Sequence, residues 1–546
     1  VLGSRGLGDV YKRQEYMNRY YVVEGNKRVS VLKYFKADSI VANVTRKIPK
    51  YSEDEDVKLY YEYMKFNQIS GLNNIEFSKI GMADKLLALM GSTAIWDADT
   101  RMEFNSLVNH FTKAYEFRGG RKLPIRVGDA LTAFINVYGY NTVLGMSDDE
   151  LSLNIVKCWN EFVMLTEKQS VGLVMDPLAA EERKGRSIFS YFMPSSAKKF
   201  TVAFLYPKSP DTSDWIYAHD LGRNYLEETF PDQMKTICVN DVTEERTEQV
   251  LNDVIRQGAD IIFEVAPQMM KDSLKVAVDH PDVKILNCSL NTSHKYIRTY
   301  YARMYEAKFL SGMIAGALAE NDRIAYIADY PIYGMIANIN AFALGASFTN
   351  PRARIYLAWS TSENYDRERF LKDNNIQVVS DQDMITPRDP GRQFGLYECS
   401  EDGRKLNLVM PLWNWGVFYE KMIQSILAGS YQSEENSEGR ALNYWWGMSA
   451  GVIDLICSKN VPTGVKRLVD HLKSDIKKGD IVPFYGEIRA QDGTLKNKKD
   501  KAMKPEAIME MDWLTDNVIG EIPTMGELRA EARPVVQIKG VEEKMK

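Results

Sequence analysis

Aromatic and acidic side chains recur in the segments that follow predicted strands, where they could bind a planar small molecule. In parallel α/β sheets, ligands bind in the loops at the carboxyl ends of the strands. Indole and phenol rings stack on heterocycles, and carboxylate or amide oxygens accept hydrogen bonds from hydroxyl and amino groups. This combination predicts a site for a planar heterocycle that carries hydroxyls. The residues concerned are Ser209, Asp211, Asp214, Trp215, Pro267, Gln268, Asp329, Tyr330, Tyr333, Trp359, Asp381, Gln382 and Asp383.

The same residues give weaker support to catalysis. Asp381 and Asp383 are spaced like a general acid/base pair, but carboxylates in such positions more often mark loop turns. His219 has no nucleophile or metal ligand at a matching spacing, so we interpret it as structural. Asp211 and Asp214 could also be helix N-caps, and the aromatic residues that open helices could pack within their own lobe. We therefore expect no enzymatic activity, no metal and no cofactor.

The elements that must position these residues form a repeated strand, loop and helix unit. The first copy has a strand at 201–206 and a helix at 215–226, and the second has a strand at 323–329 and a helix at 333–348. Apolar strands that alternate with amphipathic helices predict parallel sheets covered on both faces. The predicted fold class is α/β, with two Rossmann-like lobes. Further strand candidates lie at 236–240, 260–266, 284–289, 297–302, 354–360 and 377–380.

Composition limits the other functions. A chain of 546 residues predicts two to four domains. Its composition, with 45% hydrophobic residues, 26% charged residues and a net charge of -5, excludes wholesale disorder and a broad nucleic-acid surface. No apolar run reaches the roughly 18 to 20 residues of a membrane helix, so no integral membrane segment is expected. The scattered cysteines predict neither a disulfide framework nor a zinc site. They are Cys158, Cys238, Cys288, Cys399 and Cys457.

The first part of the chain contains a basic turn after a short strand. Residues 1–14 resemble the translated reading frame of a sequencing adapter, so we leave them out of the fold, and the true N-terminus and any leader stay open. Residues 20–35 predict a strand, a glycine turn and a helix, and the helix N-terminus favours anions. The possible phosphate-binding residues are Gly25, Asn26, Lys27 and Arg28. The alternative is a solvated basic turn with no ligand.

This turn resembles the motif of the ParB/sulfiredoxin family, and we assign residues 15–50 to a small α+β ParB-like remnant. The resemblance implies binding of nucleotide phosphate or DNA-linked ligands, so DNA is a possible partner only through this segment. Residues 51–179 are predicted to form a mostly α-helical domain, and residues 180–199 a polar, basic linker to a two-lobed domain at 200–546. The predicted helices lie at 57–66, 83–89, 102–115, 127–138 and 148–165.

Several motifs in the two-lobed domain resemble the basic membrane protein family (BMP, PnrA-like) of substrate-binding proteins. The motifs are DWIYAHDLGR at 214–223, GADIIF at 258–263, YEAKFLSGMIAG at 305–316, NINAFALGA at 338–346, WNW at 413–415 and YGEIRAQDG at 485–493. The resemblance implies the type 1 periplasmic-binding-protein fold and a purine-nucleoside-like ligand clamped between the lobes.

The same resemblance implies ligand contacts from the first strand's loop, Tyr333, Asp381 and the segment of Trp413 and Asn414. It also predicts a ribose-binding carboxylate near the end of the second lobe. There the chain departs from the family's Gly-x-Asp-x-Asp pattern and reads GLYECSED at 395–402, which leaves Glu398 and Asp402 as alternatives.

Two roles follow for such a binding domain. One is a substrate-binding protein for an ABC permease, which requires export as an extracytoplasmic or membrane-associated lipoprotein. The other is a cytoplasmic sensor whose lobe closure is relayed to the preceding domains for transcriptional regulation. We favour the cytoplasmic location, because a folded domain precedes the binding unit. A nucleoside-acting hydrolase is a further alternative.

Overall fold

The computed structural model describes residues 11–17, 19–23, 26–35, 42–92, 94–166, 171–177, 199–290, 294–383, 391, 393–400, 403–427, 431 and 441–540. The chain forms two compact units, unit 1 at residues 1–166 and unit 2 at 167–546. Residues 178–198, which include most of the predicted linker at 180–199, lie outside the described residues. The structure places the boundary between the units before strand Val171–Val174, earlier than the sequence predicts, because this strand pairs within a sheet of unit 2.

Unit 1 begins with a small sheet and one helix. The elements are β1 (Tyr11–Tyr16), β2 (Arg19–Val22), α1 (Asn26–Tyr34) and β3 (Ala42–Lys47). The strand β1 is central, antiparallel to β2 and parallel to β3. Residues 11–14, which resemble an adapter-derived sequence, therefore belong to the middle strand of this sheet, contrary to their predicted exclusion from the fold. The buried Glu15 in this strand accepts hydrogen bonds from Arg46 at 2.6 Å and from Tyr60.

The rest of unit 1 is helical, as the apolar spacing predicts. Aromatic side chains fill its core, including the fully buried Phe66, Phe104 and Phe111. A capping box formed by Ser147 and Glu150 begins α7. The helices are α2 (Glu55–Ser70), α3 (Met82–Leu89), α4 (Ala98–Phe117), α5 (Val127–Tyr138), α6 (Tyr140–Leu144), α7 (Asp148–Lys157) and α8 (Trp159–Met164).

The first lobe of unit 2 is a parallel sheet with helices packed against it. The strand order is β4-β15-β9-β8-β7-β5-β6, and every neighbouring pair is parallel. The strands are β4 (Val171–Val174), β5 (Phe200–Leu205), β6 (Met234–Val239), β7 (Ile261–Glu264), β8 (Lys284–Cys288), β9 (Ile297–Ala302) and β15 (Ala441–Trp446). The helices are α9 (Asp214–Thr229), α10 (Thr247–Arg256), α11 (Met270–Asp279) and α15 (Trp415–Leu427).

The second lobe has a mixed sheet, which corrects the prediction of parallel sheets throughout. The order is β16-β14-β13-β12-β10-β11-β19, in which β10, β11, β12 and β19 are parallel and β13, β14 and β16 add antiparallel neighbours. The short connection between β13 and β14 allows only a hairpin, since parallel neighbours need a long crossover. The strands are β10 (Arg323–Ala328), β11 (Arg354–Trp359), β12 (Val378–Ser380), β13 (Leu396–Cys399), β14 (Lys405–Trp413), β16 (Ile453–Cys457) and β19 (Val518–Ile519).

Helices α12 and α13 of this lobe pack unusually closely. A Cβ added to Gly312 would collide with the carbonyl oxygen of Phe342, and one added to Gly345 with that of Phe309. Glycine is therefore needed at both positions. The helices of the lobe are α12 (Tyr305–Leu318), α13 (Met335–Thr349), α14 (Arg367–Asp373), α16 (Thr463–Lys478), α17 (Pro505–Met509) and α18 (Arg533–Lys539), and a small hairpin joins β17 (Ile488–Arg489) to β18 (Leu495–Asn497).

Within the described residues, the chain passes between the two lobes three times. These crossings follow β9, β14 and β15. Two of the crossings, those after β9 and β15, are tied to each other. The Arg303 guanidinium donates to the Trp445 carbonyl at 3.1 Å and pairs with Glu306 at 2.7 Å, and Glu306 accepts from the Met448 amide at 2.6 Å. These crossing segments form the hinge between the two lobes. No helix in the described part of the chain is long and apolar enough to span a bilayer.

Candidate functional site

Three aromatic rings form a wall where the two lobes meet. Trp215 opens α9, Tyr301 lies in β9, and Trp413 ends β14 of the second sheet. The ring centroids of Trp215 and Tyr301 are 5.9 Å apart with an interplanar angle of 28°, and the Trp413 ring is 5.3 Å from Trp215 and nearly perpendicular to it at 82°. The Trp215 indole N–H donates to the Val265 carbonyl at 2.8 Å, which fixes its orientation. All three side chains are half-buried, so the wall can offer aromatic surface to a ligand.

Buried residues support this wall from behind. His219 is fully buried, stacks on Trp415 with ring centroids 4.4 Å apart, and shares a 2.5 Å hydrogen bond between its Nδ1 and the Tyr419 hydroxyl. Burial lowers the pKa of His219 well below its ordinary value, so the ring is neutral. Its ring centroid is 4.8 Å from that of Trp215, one turn away on α9. His219 therefore packs against the wall as a structural residue.

Carboxylates from both lobes face the same region. Asp214 follows Ser213, whose side chain accepts a hydrogen bond from the Ile216 amide, so Ser213 rather than Asp211 or Asp214 is the N-cap of α9. Burial, opposed by a hydrogen bond from the Trp215 amide at 2.7 Å, raises the pKa of Asp214 to about 6.

The negative charges of Asp329 and Asp383, in the second lobe, add to the rise in the pKa of Asp214. Burial also raises the pKa of Asp329, although the Ser360 hydroxyl donates to it. The site thus holds a carboxylate from each lobe at the place where the lobes meet.

Two cations of the second lobe neutralise the other acidic residues of the predicted site. Lys308 of α12 pairs with Asp383 at 2.5 Å, and the two side chains are 4% and 14% exposed. Arg367 of α14 pairs with Asp381 at 2.8 Å, and Asp381 also accepts from the Tyr397 hydroxyl at 3.2 Å. Asp381 and Asp383 are therefore held by separate cations and do not form a free acid/base pair.

The remaining predicted residues fall into different environments. Gln268 lies in the turn Pro267–Met269 after β7, and its buried Oε1 has no hydrogen-bond partner among the described residues. Tyr333 is half-buried in the loop before α13. Asp211 is exposed in a turn, while Trp359 is buried and donates from its indole to the Glu521 carbonyl at 2.8 Å. Trp359 thus packs inside its own lobe.

Other predicted contacts serve the hinge or fall outside the described residues. The Asn414 side chain donates to the Gly451 carbonyl at 3.1 Å, which ties two of the three crossings together. Glu398 lies in β13, and Asp402 lies outside the described residues. Gly25 is also outside them, while Asn26 and Lys27 are exposed at the start of α1.

Sequence reasoning missed Tyr301, Lys308 and Arg367. Lys308 carried a usable signal, because a lysine in the middle of the apolar helix YEAKFLSGMIAG predicts a buried, paired charge. Tyr301 lay inside a predicted strand and gave no signal of its own. No group of metal-ligating side chains occurs among the residues that the structure describes.

Two α/β lobes joined by three crossings, with the site at their junction, define the class of type 1 periplasmic-binding-protein folds. Within this class the two-lobed unit is similar to the PnrA-like substrate-binding proteins. Residues 199–386 match the profile of the Bmp family, ABC transporter substrate-binding protein PnrA-like. The family resemblance predicted from the sequence is thereby confirmed, and the family name implies a small-molecule ligand and an ABC transporter as partner.

Individual relatives match a longer part of the chain than the family profile does. A purine-binding protein of Brucella abortus (strain 2308) is 27% identical over 339 residues, which are 60% of this chain and 95% of that protein. A putative ABC transporter glucose-binding protein of Haloferax volcanii is 24% identical over 344 residues, 61% of this chain and 83% of that protein. Among solved structures, an ABC transporter solute-binding protein from Conexibacter woesei DSM 14684 has a TM-score of 0.40 and 16% identity, covering 52% of this chain and 98% of its own.

Proposed function

We propose that unit 2 binds an uncharged purine, as the nucleoside or the free base, without altering it chemically. The observation that carries this proposal is the aromatic wall of Trp215, Tyr301 and Trp413 beside the carboxylates Asp214 and Asp329. Such a wall stacks on a planar base, while the carboxylates accept hydrogen bonds from its amino group or from ribose hydroxyls. The printed description of the Brucella relative as purine-binding supports the same ligand class.

The charges of the site favour a neutral ligand over a phosphorylated one. Asp214, Asp329 and Asp383 contribute three carboxylates, and Lys308 contributes one ammonium, which is already paired with Asp383. A phosphate would add negative charge where the protein supplies an excess of the same sign, and like charges brought together at a site cost several kcal/mol. Nucleosides and bases should therefore bind in preference to nucleotides.

The ion pairs of the second lobe also argue for binding without turnover. A general acid/base mechanism needs carboxylates that can exchange protons with the ligand. Asp381 is held by Arg367 and Tyr397, and Asp383 by Lys308. This arrangement gives no support to the alternative of a nucleoside hydrolase.

Calorimetric titration of the full chain with adenosine, adenine, AMP and glucose tests the ligand class. We expect adenosine or adenine to bind, AMP to bind at least about tenfold more weakly, and glucose to give no heat. Glucose is included because of the Haloferax relative's description. Binding of glucose alone would replace the purine proposal with a sugar, and no binding of either purine at millimolar concentration would end it.

Aromatic substitutions test the wall directly. We expect Trp215→Ala and Tyr333→Ala to weaken purine binding, because stacking of a base on an aromatic ring is worth about 1–3 kcal/mol. The control is Trp513→Ala, since the Trp513 ring lies beside Lys496, 5.5 Å from its ammonium, in the tail of the second lobe. Equal losses from all three substitutions would point to general destabilisation and contradict the stacking role.

For the cellular role we infer one of two settings for the same binding event, delivery to an ABC permease or intracellular sensing. The presence of the helical unit 1 in the same chain supports a cytoplasmic sensor for transcriptional regulation, while the family name supports the permease partner. Fractionation of cells that carry a tagged chromosomal copy separates the two. Recovery with the membrane or extracytoplasmic fraction would remove the sensor, and recovery with the cytoplasm would remove the permease partner.

A further inference from the structure

The segment Thr524 to Gly540, which we call the strap, runs along the second lobe and reaches the first. Backbone hydrogen bonds attach its start to the second lobe, from the Glu363 amide to the Glu527 carbonyl at 3.0 Å and from the Arg529 amide to the Thr361 carbonyl at 2.9 Å. Arg533 at the start of α18 adds an ion pair with Glu363 at 3.0 Å. The first part of the strap is therefore fixed to the second lobe.

The middle of the strap packs on the loop that carries Tyr333. Leu528, Ala532 and Val536 are 0%, 1% and 3% exposed and form one apolar cluster with Tyr330 and Ile332. Gly540 at the end of the strap forms a β-bridge with Ile332. The strap thus covers the second-lobe loop at residues 330–334 from outside.

Helix α18 of the strap also packs beside the turn Pro267–Met269 of the first lobe. This turn contains Gln268, whose buried Oε1 has no partner among the described residues. The strap therefore spans the junction of the lobes and contacts two segments that hold proposed ligand-binding residues, Gln268 in one lobe and Tyr333 in the other.

We propose that the strap is a latch, in which α18 holds the turn Pro267–Met269 against the second lobe and must release it before a ligand can enter or leave. A contact made only when the lobes are together shifts the equilibrium toward the closed state. In the ligand-free protein the strap keeps the lobes together, and in the bound protein it slows release. Its effect on ligand exchange rests on the proposed function, whereas its hold on the turn does not.

Hydrogen exchange of the ligand-free full chain, followed by mass spectrometry, tests the latch. In Val536→Asp we expect exchange of residues 264–270 in the first lobe to increase about tenfold, together with that of residues 330–336, because a buried carboxylate disrupts the apolar cluster. The matched control is Gln537→Asp, which places the same charge at the neighbouring exposed position of α18. Val536→Ala serves as a milder variant if the aspartate prevents folding, with the same pattern at lower amplitude.

Faster exchange confined to the strap and residues 330–336, with exchange of residues 264–270 unchanged, would overturn the latch. The turn Pro267–Met269 would then be stable without its contact to the strap. A second measurement uses adenosine as the probe, with dissociation followed by stopped-flow tryptophan fluorescence. We expect Val536→Asp to release adenosine at least about tenfold faster than Gln537→Asp. If adenosine binds neither protein, the proposed ligand fails, and the exchange of 264–270 still decides the latch.

Discussion

The buried ion pair between Lys308 and Asp383 offers the most direct test of how the site is built. Its ammonium and carboxylate are 4% and 14% exposed and 2.5 Å apart, and the ammonium lies 5.3 Å from the centre of the Tyr326 ring. Lys308→Met keeps most of the apolar stem and removes the charge, so Asp383 is left as a poorly solvated carboxylate. Removing one partner of a buried pair costs about 3–5 kcal/mol.

We expect Lys308→Met to lower the free energy of unfolding of unit 2 by about 3 kcal/mol, toward the lower end because Asp383 keeps some contact with water. Asp383→Asn should be costly as well, since it leaves the more deeply buried ammonium unpaired. The double variant should cost less than either single variant, because neither charge remains. The coupling energy of this double-mutant cycle measures the pair itself.

Urea unfolding followed by tryptophan fluorescence provides the measurement, because the tryptophans of unit 2 outnumber Trp96 and Trp159 of unit 1. The matched control is the exposed pair Arg369 and Asp373 of the same lobe, whose side chains are 79% and 62% exposed. Breaking that pair should cost at most about 0.5 kcal/mol. A cost below about 1 kcal/mol for Lys308→Met, or a cycle without coupling, would refute the assignment of a buried pair.

Three further predictions concern single positions. Burial raises the pKa of Asp214 to about 6, so above that pH the folded state carries an ionised, poorly solvated carboxylate, which costs stability. Asp214→Asn should therefore be more stable than the unsubstituted chain at about pH 7.5, and it should lose this advantage as the pH falls below 6. Urea unfolding at pH values above and below 6 provides the measurement. Gly345→Ala should destabilise unit 2 by about 1–3 kcal/mol in the same assay, because its Cβ would collide with the Phe309 carbonyl, whereas Gly464→Ala, with nothing within 4 Å, should not. Tyr419→Phe should cost about 1–3 kcal/mol by leaving His219 Nδ1 buried without its partner, and an unchanged midpoint would show that this hydrogen bond is not formed.

The local elements could be predicted because each depends on a short stretch of side chains. The apolar run at 324–328 predicts a buried strand, the spacing of three and four at 102–115 predicts a helix, and both are present in the structure. The capping box of Ser147 and Glu150 is equally local. The loops after the strands gave a list of candidate ligand residues, since topology sends them to one edge of each sheet.

The pairing of distant residues needed the tertiary structure. Lys308 and Asp383 are 75 positions apart, and their contact exists only because α12 packs beside the end of β12. Asp381 and Trp359, both predicted as ligand contacts, have partners within the protein, namely Arg367 and the Glu521 carbonyl. No local pattern distinguishes a loop carboxylate that faces a ligand from one that meets a cation of its own lobe.

By itself, the sequence determined that this chain has a helical part followed by two α/β lobes, because hydrophobic periodicity fixes which face of each element is buried. It also determined the kinds of side chain available to a ligand. Only the tertiary structure decided that β13, β14 and β16 run antiparallel to their neighbours, that Trp413 of one sheet meets Trp215 of the other lobe, and that α18 spans the junction. The physical reason is that these contacts depend on where the chain crosses between the lobes. The crossings bring together segments that are far apart in the sequence, and neither segment shows a periodic pattern that would reveal its partner.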